Sequence, residues 1–246
     1  MPQRDESSIG LTQRAPSGLA AVVPCYNAGP ALRRVAEGLV DQTAAVIIVD
    51  DGSTDGFTDM LADLPLIRRR FPENRGKGHA LLEGFRTALD LPAVSCAAVV
   101  DADGQHDPAE LPRLHEAFEA HDADLLIGAR QFQGGYVPWA SRLGNTLTVM
   151  LTALLLGRRV PDTQSGYRLH SRRLLEHILA NVAGGRYDTE MEILVSAVRN
   201  GFNVVSVPIQ TIYERGNPSS HFRKIGDSWR IYRRLFCAAL RIPRSQ

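Results

Sequence analysis

The stretch VVDADGQHDP, residues 99–108, brings an apolar run to an end in two carboxylates, Asp101 and Asp103, separated by one residue. Where a backbone is extended, alternate side chains point to the same side, so the spacing predicts two acids facing one way. Paired hard oxygens suit Mg²⁺ or Mn²⁺, ions that keep several waters and complete their shell with substrate phosphates. Gln105, two residues further on, adds a neutral oxygen to the candidate metal set. His106 reads as an ordinary loop residue, and a plain turn would also put Asp and Gly at a strand end. The rest of the chain has to decide between the turn and the metal loop.

Two further polar signals bear on that choice. Asp50 and Asp51 open the stretch DDGSTD, residues 50–55. Asx-turn and capping chemistry accounts for Ser53, Thr54 and Asp55. A buried acid at a strand end can instead accept hydrogen bonds from a base or a ribose. The stretch NRGKGHA, residues 74–80, offers a glycine loop in which Lys77 can approach a phosphate. It lacks the Gly-x-x-x-x-Gly-Lys-Ser/Thr spacing of a P-loop, and Leu81 stands where the third glycine of a dinucleotide-binding fingerprint belongs. Neither a P-loop NTPase nor a dinucleotide-binding enzyme fits.

The elements that must position these residues follow from periodicity. LAAVVP (19–24), AAVIIVD (44–50), LIRR (66–69), CAAVVD (96–101) and ADLLIGA (123–129) read as strands. PALRRVAEGLV (30–40), GHALLEGFRTALD (78–90) and PAELPRLHEAFEAH (108–121) read as helices, the last opened by Asp107 as N-cap and Pro108 at the first helical position. Alternating strands and helices, with strands apolar almost throughout, predict an α/β protein whose mostly parallel sheet is covered by helices on both faces. Such sheets bind ligands at their carboxyl edge. There the ends PCYN (24–27), DDGSTD (50–55) and DADGQH (101–106) converge, which favours the metal loop.

The composition is that of an ordinary globular chain: 246 residues, 44% hydrophobic and 22% charged. A net charge of +1 gives no global argument for nucleic acid. Cys25, Cys96 and Cys237 sit among apolar neighbours and are expected to be reduced thiols, as in a cytoplasmic protein. Residues 1–18 read as a disordered tail without a signal peptide. The apolar run LTVMLTALLL (147–156) is ten residues long, too short to span a bilayer. With no internal repeat, one domain is expected over 19–221, followed by a helix over 222–246.

PCYNAG, IIVDDGSTDG, NRGKGHAL, VVDADGQHDP, GAR (128–130), DTQSGYR (162–168) and YDTEMEILV (187–195) occur in this order. Over about residues 19–235 the chain resembles the family-2 glycosyltransferases of GT-A fold, and among them the polyprenyl-phosphate sugar synthases of the dolichol-phosphate mannose type and their glucosyl relatives. The resemblance implies that Pro24, Tyr26 and Asn27 line the nucleotide pocket, that Asp50 and Asp51 hold the base or ribose, and that Lys77 lies near the nucleotide. It puts Asp101, Ala102 and Asp103 against the nucleotide sugar, with Asp101, Asp103 and Gln105 around the metal. Arg130 and Arg142 would face the acceptor phosphate, and Ser165, Gly166 and Arg168 would shape the sugar and acceptor pocket. Arg215, with Ser220 and His221 beside it, would close on the diphosphate.

The expected reaction is inverting transfer of a hexose from GDP-mannose or UDP-glucose to a polyprenyl phosphate, assisted by Mg²⁺ or Mn²⁺. A lipid phosphate is already an anion and needs positioning more than deprotonation. If the acceptor were a hydroxyl of a lipid or glycan, Asp188 or Glu190 would be the base; otherwise both are exposed acids in the first turn of a helix. A sugar nucleotidyltransferase lacks support, because PCYNAGPAL carries no glycine- and arginine-rich triphosphate loop. A processive synthase lacks its Gln-x-x-Arg-Trp segment, and a non-catalytic membrane-surface module would not need the acids at the strand ends DDGSTD and DADGQH. In 228–242, Trp229, Tyr232, Phe236 and Leu240 share a helical face, with Arg230, Arg233, Arg234 and Arg241 largely off it. Such a helix suits a headgroup layer, so the expectation is a peripheral protein on the inner face of the membrane, without a transmembrane helix. No obligate protein partner is implied.

Overall fold

The computed structural model describes residues 18–130, 160–185 and 188–210, together with Ala153 and Gly157. The tail, most of the 147–156 run, Arg142, Arg215, Ser220, His221 and the 222–246 helix lie outside the described residues.

Seven strands form one sheet: β1 (Leu19–Cys25), β2 (Ala45–Asp50), β3 (Leu66–Arg70), β4 (Cys96–Val99), β5 (Leu125–Arg130), β6 (Arg168–Ser171) and β7 (Val204–Ile209). Their order is β3-β2-β1-β4-β6-β5-β7. β6 runs antiparallel to β4 and β5, while the pairs β1–β2, β1–β4, β2–β3 and β5–β7 are parallel. Five helices are described: α1 (Ala31–Val40), α2 (Lys77–Leu89), α3 (Leu111–Ala120), α4 (Arg172–Asn181) and α5 (Thr189–Arg199).

The period-two geometry of a strand sends successive residues to opposite faces. On one face Leu19, Ala21 and Val23 of β1 join a core with Leu32 and Val35 of α1 and Leu114 and Phe118 of α3. On the other, Ala20 and Val22 join Leu81 and Phe85 of α2, Leu174 and Ile178 of α4, and Met191 and Leu194 of α5. Both sides of β1 are therefore desolvated, which is why its sequence shows no polar alternation. The expected α/β class with a mostly parallel, doubly covered sheet is what the chain adopts.

The five expected strands and three expected helices are present, with ends shifted by up to three residues. Asp107 caps as predicted: its carboxylate accepts the Ala109 N–H at 2.9 Å, ahead of a short 3-10 turn at Pro108–Glu110 that leads into α3. β6, β7 and α4 were not anticipated. RLHS of β6 is four residues with two basic side chains, so it lacks an apolar run, yet its Arg168, Leu169 and His170 are all buried. VVSVPI of β7 is only partly buried and contains Pro208, a residue tolerated at a sheet edge.

Candidate active site

The carboxyl ends of β1, β2 and β4 meet at one edge. Asn27, just past β1, adopts a left-handed φ of 48°, a conformation its short polar side chain tolerates. Its backbone N–H donates to Ser53 Oγ at 2.9 Å, and its side-chain oxygen accepts the Thr54 N–H at 2.8 Å. The ends of β1 and β2 are thereby tied together, with Pro24 buried and Tyr26 half-buried beside them.

Asp50 and Asp51 serve these loops. Asp50 accepts Ser53 N–H at 2.7 Å and the Thr58 hydroxyl at 2.9 Å, and pairs with Arg70 at 3.3 Å. Asp51 accepts the backbone N–H groups of Arg75 and Gly76 at 2.7 and 2.8 Å, which fixes the NRGKG loop. Only 2% and 3% exposed, the two acids are engaged by the loops that border the carboxyl edge. Gly52, at φ 77°, passes so near the backbone that a Cβ would lie 2.5 Å from the Glu73 carbonyl carbon. A cleft of about 450 Å³ opens beside this turn, lined by Gly52, Ser53, Thr54, Arg70, Phe71 and Pro72.

β4 ends at Val99, so the two acids of DADGQ sit in the turn that follows rather than on extended backbone. Ala102 between them is buried in the α1/α3 core. Asp103 Oδ1 accepts the Gln105 N–H at 3.0 Å. Burial and the negative charge of Asp101 push the Asp103 carboxyl above its ordinary value. For Asp101 burial works in the same direction, but the Lys77 ammonium and His106 hold it well below the usual carboxylate range. The Lys77 Nζ lies 2.6 Å from Asp101 Oδ1 and 3.2 Å from both carboxylate oxygens of Glu190. Against burial, these two acids keep Lys77 protonated above its ordinary range.

Asp101 is also confined sterically. His106 Nε2 lies 3.7 Å from its Oδ2. Gly166 packs so closely that a Cβ there would sit 2.1 Å from the same oxygen. His106 is buried, with its ring 5.2 Å from that of Tyr167, so it is a wall of the acid loop rather than an ordinary loop residue. Nothing in its spacing announced that role.

The expected acceptor residues divide. Arg130 makes a bidentate pair with Asp162, Nε to Oδ2 at 2.7 Å and Nη2 to Oδ1 at 3.1 Å. Burial would raise the Asp162 carboxyl, but Arg130 holds it below its ordinary value. Arg168 is 1% exposed and spends its guanidinium on the carbonyls of Ser165, Glu190 and Thr163, each at 2.8 Å. Ser165 is buried as well, its hydroxyl accepting the Tyr167 N–H at 3.3 Å. Arg168 and Ser165 thus brace the DTQSG loop. Glu190 is not an exposed acid: its side chain is 12% exposed and turned to Lys77. Asp188 is the N-cap residue of α5.

A mostly parallel, doubly covered sheet with acids and a lysine at its carboxyl edge is the arrangement of the GT-A glycosyltransferase fold. The crystal structure of glucosyl-3-phosphoglycerate synthase from Mycobacterium tuberculosis, in complex with Mn²⁺, UDP and glucosyl-3-phosphoglycerate, superposes with a TM-score of 0.70 over 100% of this chain and 88% of that one, at 19% identity. Residues 20–179 match the family described as Glycosyl transferase family 2, and the chain belongs to that family. It is 34% identical over 225 residues to the polyprenol monophosphomannose synthase of Mycolicibacterium smegmatis, covering 86% of this chain and 82% of the relative. It is 29% identical over 215 residues to the UDP-N-acetylglucosamine–dolichyl-phosphate N-acetylglucosaminyltransferase of Methanococcus voltae, covering 78% and 84%.

Proposed function

We propose that this glycosyltransferase moves a hexose from a nucleoside diphosphate sugar, GDP-mannose or UDP-glucose, to a polyprenyl phosphate, with inversion at the anomeric carbon. Both curated relatives are named for transfer to a polyprenol-type phosphate. The observation that carries the reading is the Asp101–Asp103 loop, at the same carboxyl edge of the sheet as the cleft at Gly52–Pro72. The base is assigned to that cleft, where Arg70 and the Ser53–Thr54 turn supply polar groups.

A divalent ion suits the acid loop. Its donors are hard oxygens, and the repulsion that raises Asp103 is relieved by a cation. Two carboxylates and an amide oxygen leave open positions for waters and a substrate diphosphate, as these ions require. Asp101, Asp103 and Gln105 would hold Mg²⁺ or Mn²⁺, which supplies Lewis-acid neutralisation of the leaving diphosphate.

The remaining chemistry belongs to the chain. A phosphate oxygen of the lipid forms the new bond to the sugar C1 as the bond from C1 to the nucleoside diphosphate breaks, and the diphosphate leaves with the electron pair. No proton has to be removed, so the engagement of Glu190 with Lys77 costs the reaction nothing. Asp162 sets the plane of the Arg130 guanidinium, and the acceptor phosphate is assigned to that arginine, with Arg142 and Arg215 assigned from sequence. Membrane attachment at the inner face rests on the basic 222–246 segment; among the described residues no helix is long and apolar enough to cross a bilayer.

The test is nucleoside diphosphate release from GDP-mannose and from UDP-glucose in Mn²⁺, with and without undecaprenyl phosphate, using Asp103→Ala as control. Lipid-dependent release from one donor, lost in the variant, is expected. Equal release with and without lipid would refute the acceptor.

A further inference from the structure

Two carboxylates, Asp101 and Glu190, clasp a single ammonium, Lys77, and a third, Asp103, sits on the same loop as Asp101. We infer that Glu190 is a positioning residue for the metal loop: by sharing Lys77 with Asp101 it preserves the negative charge that a divalent cation needs there. The inference rests on the metal-dependent reading above and assigns Glu190 a task other than that of a base.

Charge counting supports it. Lys77 brings one positive charge against the three carboxylates, so these four side chains sum to −2, which one divalent cation balances. Without the Glu190 charge the same side chains stand at −1, and the pull of Glu190 on the Lys77 ammonium, opposed to that of Asp101, is gone. A cation would then have to compete with an ammonium already 2.6 Å from the ligand oxygen. In the wild type that ammonium is divided between Asp101 and both oxygens of Glu190. The three side chains are only 16%, 26% and 12% exposed, so water screens their interactions weakly.

The fold devotes several contacts to holding Glu190 at this distance, although it lies 113 residues from Lys77. Arg168 Nη1 grips the Glu190 carbonyl at 2.8 Å, and the Gly78 N–H donates to the Gly185 carbonyl at 2.9 Å. A Cβ on Gly78 would stand 1.9 Å from Thr189 Oγ1, so α2 and the first turn of α5 approach as closely as a glycine allows. Helix α2 carries Lys77 and α5 carries Glu190, and this contact sets the reach between them.

The test is Mn²⁺ binding to the full chain without nucleotide, followed by electron paramagnetic resonance of the free ion. Glu190→Gln is expected to weaken binding about tenfold or more, since a unit charge is removed within a few ångströms of a weakly screened site. Lys77→Gln removes the competing cation and is expected to tighten binding several-fold, with the double variant returning near the wild-type affinity. Glu190→Asp keeps the charge on a shorter arm and is expected to retain most of the affinity, which guards against a folding artefact. Unchanged Mn²⁺ binding in Glu190→Gln with a lowered kcat would overturn the inference in favour of a base for a hydroxyl acceptor. Weaker binding in Lys77→Gln would overturn it too, making Lys77 a strut for Asp101. Wild-type binding no stronger than that of Asp103→Ala would remove the metal loop itself, and this inference with it.

Discussion

Gly166→Ala tests the geometry of the acid loop with a single methyl group. A Cβ at residue 166 would lie 2.1 Å from Asp101 Oδ2, 2.6 Å from its Cγ and 2.8 Å from its Oδ1. Ordinary contact begins at 3.4 Å, so the carboxylate has to retreat by about 1.3 Å, the difference between 2.1 and 3.4 Å. It cannot swing aside freely, because Lys77 holds Oδ1 at 2.6 Å and His106 stands against Oδ2 at 3.7 Å. A misplacement of about 1 Å in a reacting constellation costs roughly 100-fold in rate. Overpacking of this kind costs about 1–3 kcal/mol of stability, a loss a domain with roughly 5–15 kcal/mol in hand survives. The expected outcome is a folded protein with kcat/KM for donor turnover lowered about 100-fold, read by nucleoside diphosphate release alongside thermal unfolding. Gly201→Ala is the control: φ there is 73°, but nothing lies within 4 Å of the added Cβ, so it should lose about 1 kcal/mol and no activity. A Gly166→Ala protein within threefold of wild type in kcat/KM would refute the argument that Asp101 is confined.

Three further outcomes follow from the buried polar groups. Arg168→Ala strands the carbonyls of Thr163, Ser165 and Glu190, and should cost about 3–5 kcal/mol in urea unfolding; a loss below 1 kcal/mol would contradict its role as a brace. Asp162→Asn should free the plane of Arg130 and raise the KM for the lipid acceptor about tenfold while leaving the donor KM within twofold; equal changes in both would count against the acceptor assignment. His170 is held neutral by burial and by the neighbouring Arg168, its pKa pushed down to about 3. The unfolded chain binds that proton below about pH 6.5, so the contribution is complete above pH 6.5 and is lost as pH falls from there toward 3. Between pH 6.5 and 5 stability should fall by up to about 1.4 kcal/mol per pH unit from this residue alone, and His170→Gln should flatten that slope in denaturant titrations. An unchanged slope in the variant would show that His170 is protonated in the fold.

Much of the frame was legible from residue type and spacing. The apolar runs at 19–24, 44–50 and 96–101 become central strands because neither face admits a polar residue. The 3.6-residue pattern of 30–40 places Leu32, Val35 and Leu39 of α1 on one buried face. Asp107–Pro108 marks a helix start because a cap is a local contact, complete within three residues. The turn chemistry of DDGSTD was readable for the same reason, although the burial of Asp50 and Asp51 was not. A carboxylate in a strand-end turn can serve the loop or a ligand, and the contacts of these two with Thr58, Arg70 and the NRGKG loop come from packing between distant segments.

What the sequence determined by itself was the α/β frame, the carboxyl-edge location of the site and the presence of an acid loop within it. Tertiary structure decided how the site is wired. The insertion of β6 between β4 and β5 brings Gly166 against Asp101 and buries Arg168 beneath α5. The close approach at Gly78 brings Glu190 to Lys77 across 113 residues. Periodicity reports which face of an element is buried, because that is a property of neighbouring residues. Which charged groups share a proton-tight contact depends on strand order and on how near two helices can come, and neither has a signature within one segment of chain.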